Sequence, residues 1–319
     1  MDPVTAITIG NFDGVHRGHA ALLRRCRALA ARVVVMAFDP HPAAVLAPGK
    51  EPARLTTFAR RAELLRQLGA DEVVRLDPAD GTLGLLAPDF IARVVERHKP
   101  SWFVEGPDFR FGKGRAGDID TLRELGERHA FGVDLVEHVD ADMADGSVVR
   151  VSSTLVRWLV QHGRVSDAAA LMARPHELAG TVTRGDRLGR VLGFPTANLS
   201  NEGGVMLPAD GVYAARAITP GGRSAIAAIS IGVRPTFAGL DRRVEAHLLS
   251  DDGGKWTPAP GADEYGWPLR LELVAWVRDQ VRFAGREALV AQIERDCRRV
   301  SELLSPREPA LAGSMESHA

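Results

Sequence analysis

Residues 10–25 read GNFDGVHRGHAALLRR. Three glycines and two histidines stand here between an apolar run, VTAITI at 4–9, and a helical pattern that begins within the stretch itself. Such a turn joins a first strand to a first helix, where a parallel sheet presents helix amino termini and binds ligands beyond the carboxyl ends of its strands. Gly10, Gly14 and Gly18 let backbone approach a phosphate closely, and the helix start supplies unpaired amides. Phe12 and Asp13 belong to the same turn. His16 and His19, at i and i+3, share a helix face and can both donate hydrogen bonds to phosphoryl oxygens as negative charge builds. The Gly-x-x-x-x-Gly-Lys-Ser/Thr loop is missing, which argues against P-loop ATP hydrolysis.

Outward from this turn, the pattern repeats. VVVMAF (33–38) and WFVEG (102–106) alternate with the helical patterns AALLRRCRALAAR, RRAELLRQLG and PDFIARVVERH, so the amino-terminal half reads as βαβ units around a parallel, Rossmann-like sheet. Leu22, Leu23, Cys26, Leu29 and Ala30 recur at helical spacing, which makes Cys26 a core residue and not a catalytic thiol. Near residue 175 the character changes. GTVT, GVYAARAI, SAIAAISIG, VEAHLL and LRLELVAWV follow one another with Gly and Pro turns, the mark of an antiparallel barrel or sandwich. REALVAQIERDCRRVSELL closes it as a helix with Leu289, Ile293, Cys297, Val300 and Leu304 on one stripe. The reading is an α/β domain over 1–174, a β-barrel domain with a carboxy-terminal helix over 175–306, and a disordered tail over 307–319.

The 319 residues suffice for two domains with separate cores, and 40 basic against 41 acidic residues give a net charge of -1. No global field draws this chain to nucleic acid or anionic lipid, so neither a nucleic-acid nor a membrane partner is expected. Two cysteines cannot make a disulfide framework, no basic leader precedes the first apolar run, and no run is long enough to span a bilayer. The expectation is a cytoplasmic protein. Its oligomeric state is left open.

GNFDGVHRGH, FDPHP (38–42), DFRFGKGRAGD (108–118) and RVSSTLVR (150–157) occur in an order that resembles the bacterial bifunctional riboflavin kinase/FMN adenylyltransferases, or FAD synthetases, from about residue 4 to residue 304. The resemblance implies ATP, Mg²⁺ and the flavins riboflavin, FMN and FAD as cofactor, substrates and products. It assigns the triphosphate-binding, catalytic role to His16 and His19, and places Asp108 where a flavin contact is expected. FMN is already an anion able to attack the α-phosphorus of ATP, so the enzyme needs to supply alignment and charge stabilisation. In RVSSTLVR, Ser152, Ser153 and Thr154 open a helix between Arg150 and Arg157; helix capping is the common use of such hydroxyls, but the flanking arginines favour phosphate binding. FDPHP either ends a strand or joins the nucleotide site. Phe109 and Phe111 read as core.

The second half has its own signature, GTVTRGDRLGRVLGFPTANL (180–199), similar to that of riboflavin kinases. Gly185, Gly189 and Gly193, with Arg190 among them, suggest a flap that closes over phosphates. In the extended PTAN, Thr196 and Asn198 share a face, and a hydroxyl beside a carboxamide suits Mg²⁺ bridging ATP phosphates. Riboflavin presents an alcohol, so a general base is required. Glu245 in VEAHLL aligns with the family's proposed catalytic base, while His247 reads as structural. The chain departs from the family at Ser230 in SIGVRPTF, at DEYG (263–266), at the longer 250–262 loop, at His176 for a common tyrosine, and at Glu105. Two alternatives stand beside two activities: retention of only one, or a non-catalytic flavin- or nucleotide-binding regulator. A tRNA synthetase is disfavoured because RVSSTLVR lacks the lysine-rich loop. No expected site residue crosses residue 174, which predicts that the halves work separately.

Overall fold

The computed structural model describes residues 3–185, 188–236, 239–250, 256 and 263–304. The expected 307–319 tail, and all of the 250–262 loop except Ser250 and Trp256, lie outside those residues. Two compact units result. The first holds the chain to His176 together with Glu202–Pro208; the second holds Glu177–Asn201 and the chain from Ala209 onward.

The first unit follows the βαβ pattern: β1 (Thr5–Gly10), α1 (Arg17–Leu29), β2 (Arg32–Phe38), α2 (Ala43–Leu46), α3 (Phe58–Gln67), β3 (Glu72–Leu76), α4 (Ala87–His98), β4 (Trp102–Glu105), α5 (Ile119–His129) and β5 (Gly132–Leu135). The strand order is β3-β2-β1-β4-β5, and every pairing is parallel. The direction of winding therefore reverses between β1 and β4, the place where open α/β sheets bind ligands. Strand alternation divides the core. Ala6, Val33 and Val35 meet Leu23, Cys26 and Leu65 on one face, whereas Ile7, Val34 and Met36 meet Phe90, Ile91 and Leu122 on the other. Cys26 is fully buried, and Phe109 packs against the core that holds Phe111, as their spacing and setting indicated. A hairpin of β6 (Asp140–Asp142) and β7 (Val148–Arg150) leads to α6 (Ser153–Gln161) and α7 (Val165–Met172), which bury Val156, Leu159, Val160 and Leu171 against Leu55.

The second unit is a closed antiparallel barrel, ordered β10-β11-β12-β9-β8-β13. Its elements are β8 (His176–Thr183), α8 (Leu188–Leu192), β9 (Ala197–Leu199), β10 (Gly211–Ile218), β11 (Ser224–Thr236), β12 (Gly239–Leu249), β13 (Pro268–Arg278) and α9 (Arg286–Leu304). β11 and β12 pair from Ile226↔Leu249 to Thr236↔Gly239, well beyond SAIAAISIG and VEAHLL. Their continuous ladder carries strand structure through GVRPT, where local pattern offers none. The glycine-rich run expected as a flap contains the short helix α8. α9 buries Val300 and Leu304 with Ala214, Ile226 and Leu249, and its buried Asp296 accepts from Arg278 Nε at 2.9 and 3.0 Å and from Nη2 at 2.7 Å.

Candidate active sites

The turn after β1 is strained. Phe12 and Val15 adopt left-handed backbone, with φ of 51° and 39°, and for β-branched Val15 this is a genuine outlier. Such strain persists only where the surroundings over-determine it. Asp13 supplies the centre of that restraint: its carboxylate accepts from Leu55 N (3.0 Å), Thr56 N (3.0 Å) and Arg157 Nη2 (2.6 Å). The carbonyls of the turn are fixed as well. Arg61 donates to Asn11 O, Ser153 Oγ to Asp13 O and Arg174 to Gly14 O, at 2.6, 2.7 and 2.7 Å. Asp13 and Phe12 are thus turned inward, 5% and 2% exposed.

His16 is the N-cap of α1, and the two histidines cap it reciprocally. His16 Nδ1 accepts from His19 N at 3.4 Å, and His19 Nδ1 accepts from His16 N at 3.2 Å. An imidazole whose Nδ1 accepts carries its proton on Nε2 when neutral, so each ring keeps an Nε2–H donor for a ligand. The rings stack with centroids 3.6 Å apart. Burial holds the His16 pKa down to about 4, and burial, His16 and Arg61 hold His19 well below the ordinary histidine range. Both are neutral donors at pH 7. Gly18 leaves little room between them: a Cβ there would lie 3.1 Å from His16 Cε1, and the ring would have to shift.

Beside this turn, at the carboxyl ends of β1 and β2, lies a cavity of about 460 Å³. Asn11, Phe38, Asp39, His41 and Arg54 line it, so FDPHP and the GNFDG turn share one hollow. Buried Asp39 is ringed by three guanidiniums, Arg75 at 3.0 Å, Arg61 at 3.2 Å and Arg54 at 3.6 Å. His41 Nδ1 accepts from Ala43 N at 3.1 Å, which directs its other nitrogen at the Asn11 amide, 3.2 Å away. At the end of β4, Glu105 is 2% exposed and accepts from Ile9 N at 2.7 Å. Burial pushes its pKa well above the carboxylate range. The departure at this position is therefore a buried carboxyl group tying β1 to β4.

RVSSTLVR opens α6 as expected, with Ser152 as N-cap accepting from Leu155 N at 3.2 Å. Ser153 and Arg157 both reach the Asp13 turn, and Arg157 also donates to Ala53 O at 2.7 Å. Arg150 and Thr154 are exposed at the start of this segment. Asp108 follows β4 with its side chain 81% exposed, 3.2 Å from His138 Nε2. Leu55, Thr56, Arg61 and Arg174 carry no motif, and local sequence gives no signal for their part in holding the turn.

In the second unit, Glu245, Thr196, Gly189, Ser230, His247 and Gln280 line a cavity of about 290 Å³. Strand register assembles it. Glu245 of β12 faces Asn198 of β9 and Ser230 of β11, which brings together residues 47 and 15 positions apart. Gly185 lies so close to Asn198 that a Cβ would stand 2.1 Å from its amide nitrogen, so any other residue there would displace the Asn198 side chain. Ser230, the departure from the common asparagine, accepts from Gln280 Nε2 at 3.0 Å, a partner that sequence reasoning missed. His247, on the cavity lining, donates through Nδ1 to Pro195 O at 2.8 Å. Gly193 has a left-handed backbone, and Arg190 pairs with Glu264 of DEYG. Asp186 and Arg187 of the signature lie outside the described residues.

Among the described residues, no group of three His, Cys, Asp or Glu is placed to hold a metal, and no helix is long and apolar enough to cross a membrane. The FAD synthetase family matches residues 1–154, and the riboflavin kinase family matches residues 172–304. The bifunctional riboflavin kinase/FMN adenylyltransferase of Escherichia coli K12 is 35% identical over 95% of this chain and 94% of its own length. That of Pseudomonas fluorescens is 36% identical over 94% and 93%. A Streptococcus pneumoniae crystal structure described as a macrolide-efflux protein superposes with a TM-score of 0.80, at 27% identity over 95% of each chain. With both families matched in order and full-length relatives of this identity, the chain belongs to the bifunctional riboflavin kinase/FMN adenylyltransferase family.

Proposed function

We propose that this chain makes FAD in two steps, one in each unit. In the barrel, Glu245 takes the proton of the riboflavin 5'-hydroxyl as that oxygen bonds to the γ-phosphorus of ATP and ADP leaves, giving FMN. In the α/β unit, an FMN phosphate oxygen bonds to the α-phosphorus of ATP while the bond to the bridging oxygen breaks and pyrophosphate departs. The Nε2–H groups of His16 and His19 stabilise the charge on the transferring phosphoryl oxygens. Gly10, Gly14 and Gly18 shape the approach of the triphosphate. Phe12, Asp13, Ser153 and Arg157 support that turn, with Thr154 and Arg150 on its phosphate side and Asp108 toward the flavin. Gly185, Gly189, Arg190 and Gly193 form the phosphate-covering segment of the kinase.

Thr196 and Asn198 would hold Mg²⁺ through hard oxygen donors, and the ion would neutralise charge on the nucleotide phosphates. The sparse protein ligation fits this ion, which is held by one or two side chains plus substrate. A cytoplasmic site of action is supported by the two cysteines, both free and forming no disulfide.

The reading is carried by one observation: each unit has its own cavity, lined by its own family's signature residues. The full chain incubated with riboflavin, ATP and Mg²⁺ is expected to yield FMN and then FAD by chromatography, and neither without Mg²⁺. A folded chain that forms FMN but never FAD, or converts only added FMN, would reduce it to one activity.

A further inference from the structure

The Glu202–Pro208 segment belongs by sequence to the riboflavin kinase match, between β9 and β10, yet it packs into the α/β unit. Its attachment is specific. Val205 bridges to Arg54, Met206 N donates to Arg54 O at 2.7 Å, and His176, where the family commonly has tyrosine, donates through Nε2 to Met206 O at 2.8 Å. Val205 is buried, and Met206 packs on the core formed by α6 and α7. Gly203 presses so closely on the N-cap of α3 that a Cβ would stand 2.8 Å from Thr57 Cγ2. With Gly204 and Glu202, it forms a wall of the 460 Å³ cavity that FDPHP and the GNFDG turn also line.

Resting on the adenylyltransferase reading, we infer that Glu202–Gly204 are substrate-positioning residues for adenylyl transfer, closing one side of the hollow that takes the heteroaromatic end of a substrate. The lining fits such an end. Phe38, Pro40, Ala44 and Pro52 offer flat apolar surface, and Asn11 and His41 offer hydrogen bonds. Asp13, Asp39, Glu51 and Glu202 put four carboxylates on the lining against two guanidiniums, Arg54 and Arg61, both within reach of Asp39, and this balance disfavours a phosphate there. Both isoalloxazine and adenine have this chemistry, so the experiment separates them.

Glu202→Trp replaces an exposed side chain with a ring that narrows the cavity, and Gly203→Ala forces the segment off Thr57. Adenylylation is measured on the full chain with FMN varied at saturating ATP and with ATP varied at saturating FMN; riboflavin phosphorylation is measured on the same preparations. Glu202→Trp is expected to raise one KM about tenfold with kcat kept, the signature of lost uniform binding. Gly203→Ala is expected to move the same KM, and phosphorylation stays within about twofold of the parent chain. The KM that moves identifies the ring. If Glu202→Trp leaves both KM values within about twofold, or lowers phosphorylation in step with adenylylation, the assignment is overturned. FAD formation by the parent chain tests the underlying activity separately.

Discussion

The two cavities are assembled by opposite means. In the α/β unit the signature residues are neighbours in sequence, yet the turn bearing them is held in left-handed backbone by the amides of Leu55 and Thr56 and by the side chains of Arg61, Ser153, Arg157 and Arg174. In the barrel the important residues come from different strands, and their alignment follows directly from antiparallel register. A contiguous motif thus depends on scattered support, while a scattered motif needs only regular pairing. Damage should spread differently through the two: widely dispersed positions should weaken the first, and register the second.

The largest expected effect sharpens the separation of chemistries. Glu245→Gln keeps shape and hydrogen bonding while removing the base, so riboflavin phosphorylation should fall by about 10² to 10⁴. FMN adenylylation in the same preparation should be unchanged. His19→Ala should produce the converse, a loss of about 10² to 10³ in adenylylation, the usual cost of one preorganised donor, with FMN accumulating. Equal loss of both rates in either variant would show that the chemistries are not divided between the units.

Much of this was legible in the sequence, for definable reasons. Buried parallel strands are apolar on both faces, so β1 and β2 stand out as runs, and the strands of the barrel announce themselves by alternation and Gly/Pro turns. The cores followed from periodicity at Cys26 and at Val300 and Leu304 of α9, whereas Leu289 and Ile293 of the expected stripe line the barrel's cavity. What local pattern could not supply was long-range. Arg61 and Thr56 serve the turn from a distance, Gln280 reaches Ser230 from 50 residues away, and Glu202–Pro208 leaves the barrel's sequence to join the other unit. An inward Asp13 was equally hidden, because an aspartate in a glycine-rich turn reads the same whether it meets solvent, ligand or backbone amides.

A smaller effect probes the dispersed support itself. Arg157→Met removes the cation from Asp13, whose carboxylate keeps its backbone donors but remains buried, so the α/β unit should lose about 3 kcal/mol, the lower end for breaking a buried pair. Calorimetry should find that loss in one transition while the riboflavin kinase rate stays constant.

The last effect, which at pH 5.5 is only partly developed, concerns pH. His16 titrates near 4 in the folded chain against 6.5 when unfolded, so the unfolded state binds the extra proton between those values. Its contribution to stability is full above pH 6.5 and is lost as pH falls toward 4. Proton NMR should find the His16 ring neutral at pH 5.5, and a midpoint near 6.5 would break the account of it as a neutral donor.

The passage of the chain out to Glu202–Pro208 and back has a consequence for recombination. A single crossover near residue 174 between two related genes would give a chimaera whose adenylyltransferase carries one parent's main body and the other parent's 202–208 strip. Gly203 and Met206 would then meet foreign partners at Thr57 and Arg54. Exchanging the units cleanly requires a second pair of breakpoints inside the barrel's sequence, so these enzymes should diversify as whole genes, or with residues 202–208 moving together with the amino-terminal half.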